Sequence, residues 1–490
     1  MLSGACSSTT GSPDPAQDSG GAGAGQGPSA GSNTGGSGAG TGVSGAADGG
    51  TAPIGGSAPT AGSADGGAST TPGGSAGMSN AGGVSGMTSG GAGMSGSSAG
   101  GGGNGGPWTG WHVSGTTIVD GTGKELIPRG FGLGEWHNIE SYMLAFDTPD
   151  EGGVGQTKLH DLLVKAMGQA NTDAFFAAWN TNLVAPEDID KWVSWGVNSI
   201  RLPINYHEVT SADGVYIEAG FKMIDDFVAA CKAKGIYVVL DLHAAPGAQN
   251  CEQMSDSPDA IAHLWTQPDM YRKWTIDLWQ TIAKRYASEP FVAGYDFFDE
   301  PYDVEKDGSF KEGDAVLRKM YLDLTAAVRS VDPNHILFIE GTDWSQDDGF
   351  GGLLPAWDPQ LVWSGHIYNL DGTALVSLKP YTDLRTSTNR PVWDGETGEN
   401  NNTWLTTMIA NQEAAKMGWN MWTYKKVGDT TQPYTIKTPA NWTKMASYLS
   451  GKGAAPAQAD ATAIMMELAG NAATAKCTYN AGYVKAVFNK

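Results

Sequence analysis

Two carboxylates stand at the ends of apolar runs that lie far apart in the chain. The run Phe291–Asp299 leads into Asp299-Glu300-Pro301, and the run Pro391–Glu396 leads into Gly395-Glu396-Thr397-Gly398. A third run, Val197–Pro203, carries Arg201. Others end in Asp241-Leu242-His243, in His366-Ile367-Tyr368 and in Trp422. Such a set can cleave an acetal. One protonated carboxyl can donate to a departing oxygen while the other attacks the carbon, if the two lie about 5–5.5 Å apart. Arg201 can keep the attacking carboxylate ionised by pairing with it. The histidines and Tyr368 can orient hydroxyl groups, and Trp422 offers a flat apolar face to a sugar ring. Asp299 falls in the same pocket, and Trp136, beside Glu135, is expected at the cleft wall. Glu399, three residues past Glu396, is a decoy for the attacking residue.

Elements at regular spacing must bring these groups together. Eight apolar runs read as strands: Leu126–Gly132, Val197–Pro203, Ile236–His243, Phe291–Asp299, Ile336–Glu340, Leu361–His366, Pro391–Glu396 and Gly418–Trp422. Helical patterns fall between them, for example Glu218–Ala233, Met270–Ala287, Gly313–Val331 and Asn401–Lys416. Alternation of this kind marks repeated β-α units, and eight of them make an α/β protein of the (β/α)8 TIM-barrel type. A doubly wound open sheet is the alternative. In a barrel the functional side chains sit where strands end, and six of the eight runs end in polar or aromatic groups. A hairpin at Trp111–Val113 and Thr117–Val119 should precede the barrel. An insertion at about His137–Asp190 should form part of the cleft wall. Pro439–Leu449 should close the barrel, and helices within 456–490 should pack outside it.

Residues 7–107 differ from all of this. They are almost wholly Gly, Ser, Ala, Thr and Pro, with the acids Asp14, Asp18, Asp48 and Asp65, no Lys or Arg and no aromatic residue. A segment with so little apolar surface cannot offset the entropy of ordering, so it reads as a disordered linker. The expected organisation is a residual lipoprotein-type signal end at 1–6, the linker at 7–107, and a catalytic domain at 108–490 with a helical extension from about 451. Leu2-Ser3-Gly4-Ala5-Cys6 looks like the tail of a lipoprotein signal, with Cys6 lipidated as a membrane tether and the chain's true start further upstream. The expectation is therefore a secreted or cell-surface monomer. A Cys251–Cys477 disulfide, leaving Cys231 free, is one option for the other cysteines. The formal net charge of −22 argues against nucleic acid as partner, because phosphates need a basic face.

The strand-end residues resemble those of glycoside hydrolase family 5, the cellulase-type (β/α)8 enzymes, over most of Trp108–Ser450. Leu126-Ile127-Pro128-Arg129-Gly130-Phe131-Gly132-Leu133-Gly134 resembles the family's opening R-G-x-N-L-G-G stretch. Gly196-Val197-Asn198-Ser199-Ile200-Arg201-Leu202-Pro203 matches its G-x-N-x-x-R-x-P. His366 and Tyr368 fit H-x-Y, Gly395-Glu396 with Gly398 fits the nucleophile motif, and Trp419–Lys425 fits W-x-x-W-x-Y-K. The stretch Leu240–His243 with Ala245–Asn250 is similar to the exo-β-1,3-glucanase branch. The resemblance implies a retaining β-glycosidase acting on a β-glucan or related saccharide. It implies Glu300 as acid/base, Glu396 as nucleophile, and Arg201, His243, Asp299, His366, Tyr368, Trp422 and Trp136 around the substrate. No cofactor and no metal are expected. One residue departs from the pattern: the family's Asn-Glu-Pro is Asp299-Glu300-Pro301 here. An Asn amide can donate to a sugar hydroxyl, whereas an ionised Asp only accepts. The alternative function is therefore a catalytically impaired carbohydrate-binding surface protein on the same barrel.

Other chemistries lack their motifs. Gly130–Gly134 has the wrong spacing for a dinucleotide loop. No Gly-Lys-Ser/Thr phosphate loop occurs, and the region from 108 onward has no Gly-x-Ser-x-Gly elbow.

Overall fold

The computed structural model describes residues 108–146, 153–302, 313–347, 349–370 and 372–490. The expected linker and Cys6 lie outside them. Eight strands form a closed, all-parallel barrel. In chain order they are β1 (Arg129–Gly132), β2 (Ser199–Asn205), β3 (Tyr237–Ala244), β4 (Val292–Asp296), β5 (Ile336–Glu340), β6 (Leu361–Ile367), β7 (Val392–Gly398) and β8 (Gly418–Trp422). Each strand pairs with the next, and β8 closes on β1. The expected strands therefore stand where the apolar runs placed them. β1 starts at Arg129 rather than Leu126, and β4 stops at Asp296 rather than Asp299. Residues 297–300 leave the ladder, and Glu300 takes a left-handed φ of 41°.

Helices wrap the barrel through apolar stripes of helical period. The helix Glu218–Lys232 buries Phe221, Ile224, Phe227, Val228 and Cys231, and Asp314–Arg329 buries Leu317, Met320, Tyr321, Leu324 and Val328. These positions recur at the three- and four-residue spacing that puts side chains on one face. The hairpin His112–Ser114 with Thr117–Val119 gains a third strand at Glu125–Leu126. Its Trp111 and Ile118 pack with Val239, Ala293, Ile336, Phe338, Val362 and Trp393, which fills the barrel end opposite the site.

The insertion after β1 contains a short turn, Ser141–Leu144, and helices Gln156–Met167, Gln169–Leu183 and Pro186–Trp195. The turn contributes to the cleft. The first two helices instead dock with the C-terminal helix Gln458–Asn471: Asn182 donates to the Ala469 carbonyl at 3.0 Å and Gln458 to the Met167 carbonyl at 2.9 Å. The residues from 458 onward thus cover the insertion's apolar side. A Cys251–Cys477 pairing is not formed. Cys477 is a free thiol that donates to backbone carbonyls of 471 and 472, and Cys231 is free and buried.

Two ladder irregularities aim side chains at the mouth. Gly365 and His366 are consecutive on β6 but pair with Asp394 and Glu396 on β7, and β8 skips the same residue. One extra residue on β7 makes a β-bulge, which re-aims the side chain beside it. Gly395 is required there, since a Cβ would lie 2.4 Å from the Ser364 hydroxyl. Between β2 and β3 the register jumps from Pro203/Asp241 to Asn205/Ala244, an extra residue beside His243.

Candidate active site

Arg201 anchors the site. It projects from β2 with no exposed surface. Its Nε donates to Asp296 at 2.9 Å and its Nη1 to Glu396 at 2.5 Å. Its Nη2 donates to Asp299 and Glu340, both at 3.0 Å, and lies 3.2 Å from Asp241. A guanidinium offers five donors in a rigid plane, so one side chain can tie together the ends of β2, β3, β4, β5 and β7. Arg201 does not line the pocket. Its expected place around the substrate is corrected to one behind Glu396, where burial leaves it no route to a ligand.

Glu396, on the β7 bulge, accepts from Arg201 and from the Tyr368 hydroxyl, the latter at 3.1 Å. Glu300 faces it. An oxygen of Glu300, an oxygen of Glu396 and a ring nitrogen of His366 all lie within 4.8 Å of one another. His366 bridges the acids: Nδ1 meets Glu300 Oε1 at 2.7 Å and Nε2 meets Glu340 Oε1 at 3.0 Å. Burial lifts the Glu300 carboxyl to about 8, against the pull of His366 and with the push of Asp299 and Glu340. Burial raises Glu396 as well, opposed by His366 and Arg201. Of the pair, the proton belongs on Glu300, because Arg201 and Tyr368 both donate to Glu396.

The surrounding charges fit that division. Burial also pushes Asp296 to about 7 and Glu340 to about 8. Asp299 goes the other way: burial would raise it, but the charges of His243 and Arg201 hold it below the ordinary range. It remains an acceptor, 3.0 Å from Arg201 and 3.3 Å from His243. His366 and His243 are held above the usual histidine range by neighbouring acids despite burial. Asp241, His243 and Asp299 also come close enough to form a metal-type donor set, but Arg201 Nη2 already contacts both acids.

His243, Asp299, Glu300, His366 and Glu396 line a cavity of about 350 Å³, which also takes in Glu140, Tyr142, Trp344, Tyr368, Glu399 and Trp422. His243 stacks on Trp422 with ring centres 5.1 Å apart and planes 9° apart, so one face of the indole is already covered. The Trp422 Nε1–H donates to the Tyr142 hydroxyl at 2.8 Å. A Cβ at Gly132 or Gly134 would meet the indole within 2.5–2.7 Å, so the glycines of β1 and its loop make room for it.

The pocket thus gathers Glu300, Glu396, Asp299, His243, His366, Tyr368 and Trp422. Trp136 is not among them, which corrects its expected place at the cleft. Its ring packs on Phe227 in the core and its Nε1–H satisfies the Asn180 carbonyl at 2.9 Å. Glu399 lines the rim but is paired with Lys426, whose ammonium lies 4.4 Å from the Tyr142 ring centre. Sequence reasoning missed Glu340, Asp296, Glu140 and Tyr142. Glu340 carried a usable signal, as the acid that ends the run Ile336–Ile339. Glu140 and Tyr142 lie in an insertion without periodicity and carried none.

A parallel (β/α)8 barrel with two opposed carboxyls at its mouth, one bound to a buried arginine, defines a glycoside hydrolase. The model for cellulase, glycosyl hydrolase family 5, matches residues 164–431, more than half of the chain. The chain belongs to glycosyl hydrolase family 5. It is 30% identical over 353 residues to a beta-xylosidase of Phanerodontia chrysosporium, an alignment covering 64% of this chain and 71% of the relative. It is 27% identical over 260 residues to a probable glucan 1,3-beta-glucosidase A of Aspergillus clavatus, covering 51% and 58%. It is 28% identical over 188 residues to endoglucanase C of Acetivibrio thermocellus, covering 38% and 50%. The chain thus spans between half and three-fifths of the length of the last two relatives. Among solved structures, an endogalactoceramidase superposes with a TM-score of 0.49 at 15% identity, over 73% of this chain and 84% of that one.

Proposed function

We propose that this chain is a retaining β-glycosidase that acts on β-glucan or a related β-linked saccharide and takes sugars from a chain end. The observation that carries the reading is that an oxygen of Glu300 and an oxygen of Glu396 lie within 4.8 Å of each other. That is short of the about 6.5–9.5 Å that inverting enzymes keep between their carboxyls to admit a water. In the first step a Glu396 oxygen attacks the anomeric carbon. The bond to the leaving oxygen breaks, and that oxygen takes the Glu300 proton. In the second step Glu300 accepts a proton from water, the water oxygen attacks the anomeric carbon, and the Glu396 ester is released. Arg201 and Tyr368 stabilise Glu396 as it regains its charge.

The names of the relatives, a beta-xylosidase and a glucan 1,3-beta-glucosidase, support a β-linked substrate. Chain-end action is supported by the pocket's walls. On the side of β1 and β8 it is bounded by Glu140, by Tyr142 and by Glu399 paired with Lys426. On the side of β5 and β6, beyond Glu300, Leu370 is 49% exposed and Trp344 half-buried, and here an aglycone can leave. Hydrolysis of laminarin, carboxymethyl cellulose, mixed-linkage glucan, mannan and xylan, with Glu300→Ala and Glu396→Ala alongside, tests the reading. It requires activity on at least one substrate that both variants lose. Binding without turnover would favour the carbohydrate-binding alternative.

The sequence at Cys6 and the Gly/Ser-rich stretch after it support display of the enzyme at a membrane surface, secreted and lipid-anchored. Incorporation of labelled fatty acid that disappears in Cys6→Ser tests this.

A further inference from the structure

The buried acid at the end of β5 belongs to neither the nucleophile nor the acid/base, yet it touches the supports of both. Glu340 has no exposed surface. One of its oxygens, Oε2, accepts the backbone N–H of Glu300 at 2.7 Å. The other, Oε1, meets His366 Nε2 and Arg201 Nη2, each at 3.0 Å. Its own carbonyl is fixed by the Tyr321 hydroxyl at 2.9 Å. Glu300 sits at φ 41°, a left-handed conformation that costs a non-glycine residue energy and persists only where surroundings enforce it. On the same peptide Gln249 donates to the Asp299 carbonyl at 2.9 Å, and Asn250 donates to the Glu300 carbonyl at 3.0 Å. The Glu300 carboxyl, in turn, is met by His366 Nδ1 at 2.7 Å. Glu340 therefore grips the acid/base twice, directly at its backbone and through the His366 ring at its side chain.

We propose that Glu340 is the positioning residue for proton donation: it holds the Glu300 backbone and orients His366, so that the Glu300 proton meets the leaving oxygen. This rests on the reading of Glu300 as the acid/base. The role makes a specific demand. A poorly positioned acid should harm only substrates whose leaving group needs a proton. A general loss of site structure should harm all substrates alike.

The test compares kcat/KM for methyl and dinitrophenyl β-glucosides, or the matching β-xylosides if the wild type prefers those, in Glu340→Gln and Glu340→Asp. The Gln keeps the size but puts an amide NH2 where one accepting oxygen stood. The Asp keeps the carboxyl beside Arg201 and shortens the reach to the Glu300 N–H. Misplacing a reacting group by about 1 Å can cost about 100-fold. We expect about that loss on the methyl glycoside and less than about threefold on the dinitrophenyl glycoside, whose leaving group departs without a proton. Dinitrophenyl turnover also reports that the variant is folded, and the Asp form serves if the Gln form does not fold. Equal losses on both substrates, or no loss on either, would overturn the proposal. Glu300→Ala is measured alongside. If that variant also fails to discriminate between leaving groups, the acid/base reading itself falls. If it discriminates and the Glu340 variants do not, only the positioning role falls.

Discussion

Arg201 Nη1 donates to Glu396 Oε1 at 2.5 Å, and the same guanidinium bonds three other acids. Glu396 is thus fixed by a group that is itself fully buried. A lysine at this position could place one ammonium against Glu396 but could not also span Asp296, Asp299 and Glu340. Arg201→Lys is expected to lower kcat by about 100-fold or more through a displaced nucleophile, with a smaller change in KM. Steady-state kinetics check this. A kcat within about threefold of wild type would show that the fork geometry is dispensable.

Asp299 is the departure from the family pattern, and its surroundings give it work. It accepts from Arg201 and lies 3.3 Å from His243, and its charge helps to hold the proton on Glu300. Glu300 acts as an acid only while protonated, so activity should be present below about pH 8 and fall as pH rises through that value. Asp299→Asn removes the repulsion and should move this alkaline limb of kcat/KM to lower pH. A limb that stays in place, with kcat unchanged within a factor of about two, would mean that the Asp has no special role.

The same shifts link the site to stability. Glu300 and Glu340 are raised to about 8 and Asp296 to about 7. Carboxyls raised by folding contribute stability that is full below their unfolded values and is lost as pH rises through the folded ones. His243 and His366, also raised, act in the same direction. The unliganded protein should therefore have a higher Tm at pH 5 than at pH 9, and Glu300→Gln should narrow that gap. An equal gap in the variant would show that Glu300 does not hold the proton.

Tyr142 lines the pocket wall, braced by the Trp422 N–H and by Lys426 over its ring. Tyr142→Ala should open that wall. On a glucan chain the wild type should release single sugars, and the variant should also release disaccharides. Chromatography of early products distinguishes the two. Longer products from the wild type itself would refute chain-end action.

Much of this was legible in the sequence because strand ends carry the chemistry. Apolar runs located all eight strands, and the residues that end or follow those runs included Glu300, His366, Tyr368, Glu396 and Trp422 of the pocket. Trp136 was misplaced because an aromatic beside an acid looks the same in a core as in a cleft. Only the contact with Phe227 decides it. The bulge at Gly395 could not be read, since an extra residue leaves the alternation of a short strand almost unchanged. Glu340 and Asp296 were passed over because an acid in an apolar strand gains meaning only when its partner, Arg201, is in view.

The central claim is that Glu300 and Glu396 work as a retaining pair. Proton NMR of the sugar released in the first moments of hydrolysis of a β-glycoside tests it most directly, because the anomer formed first records the stereochemistry before mutarotation mixes it. The β-anomer is expected first. The α-anomer first would mean inversion, and would contradict the assignment of Glu396 as nucleophile.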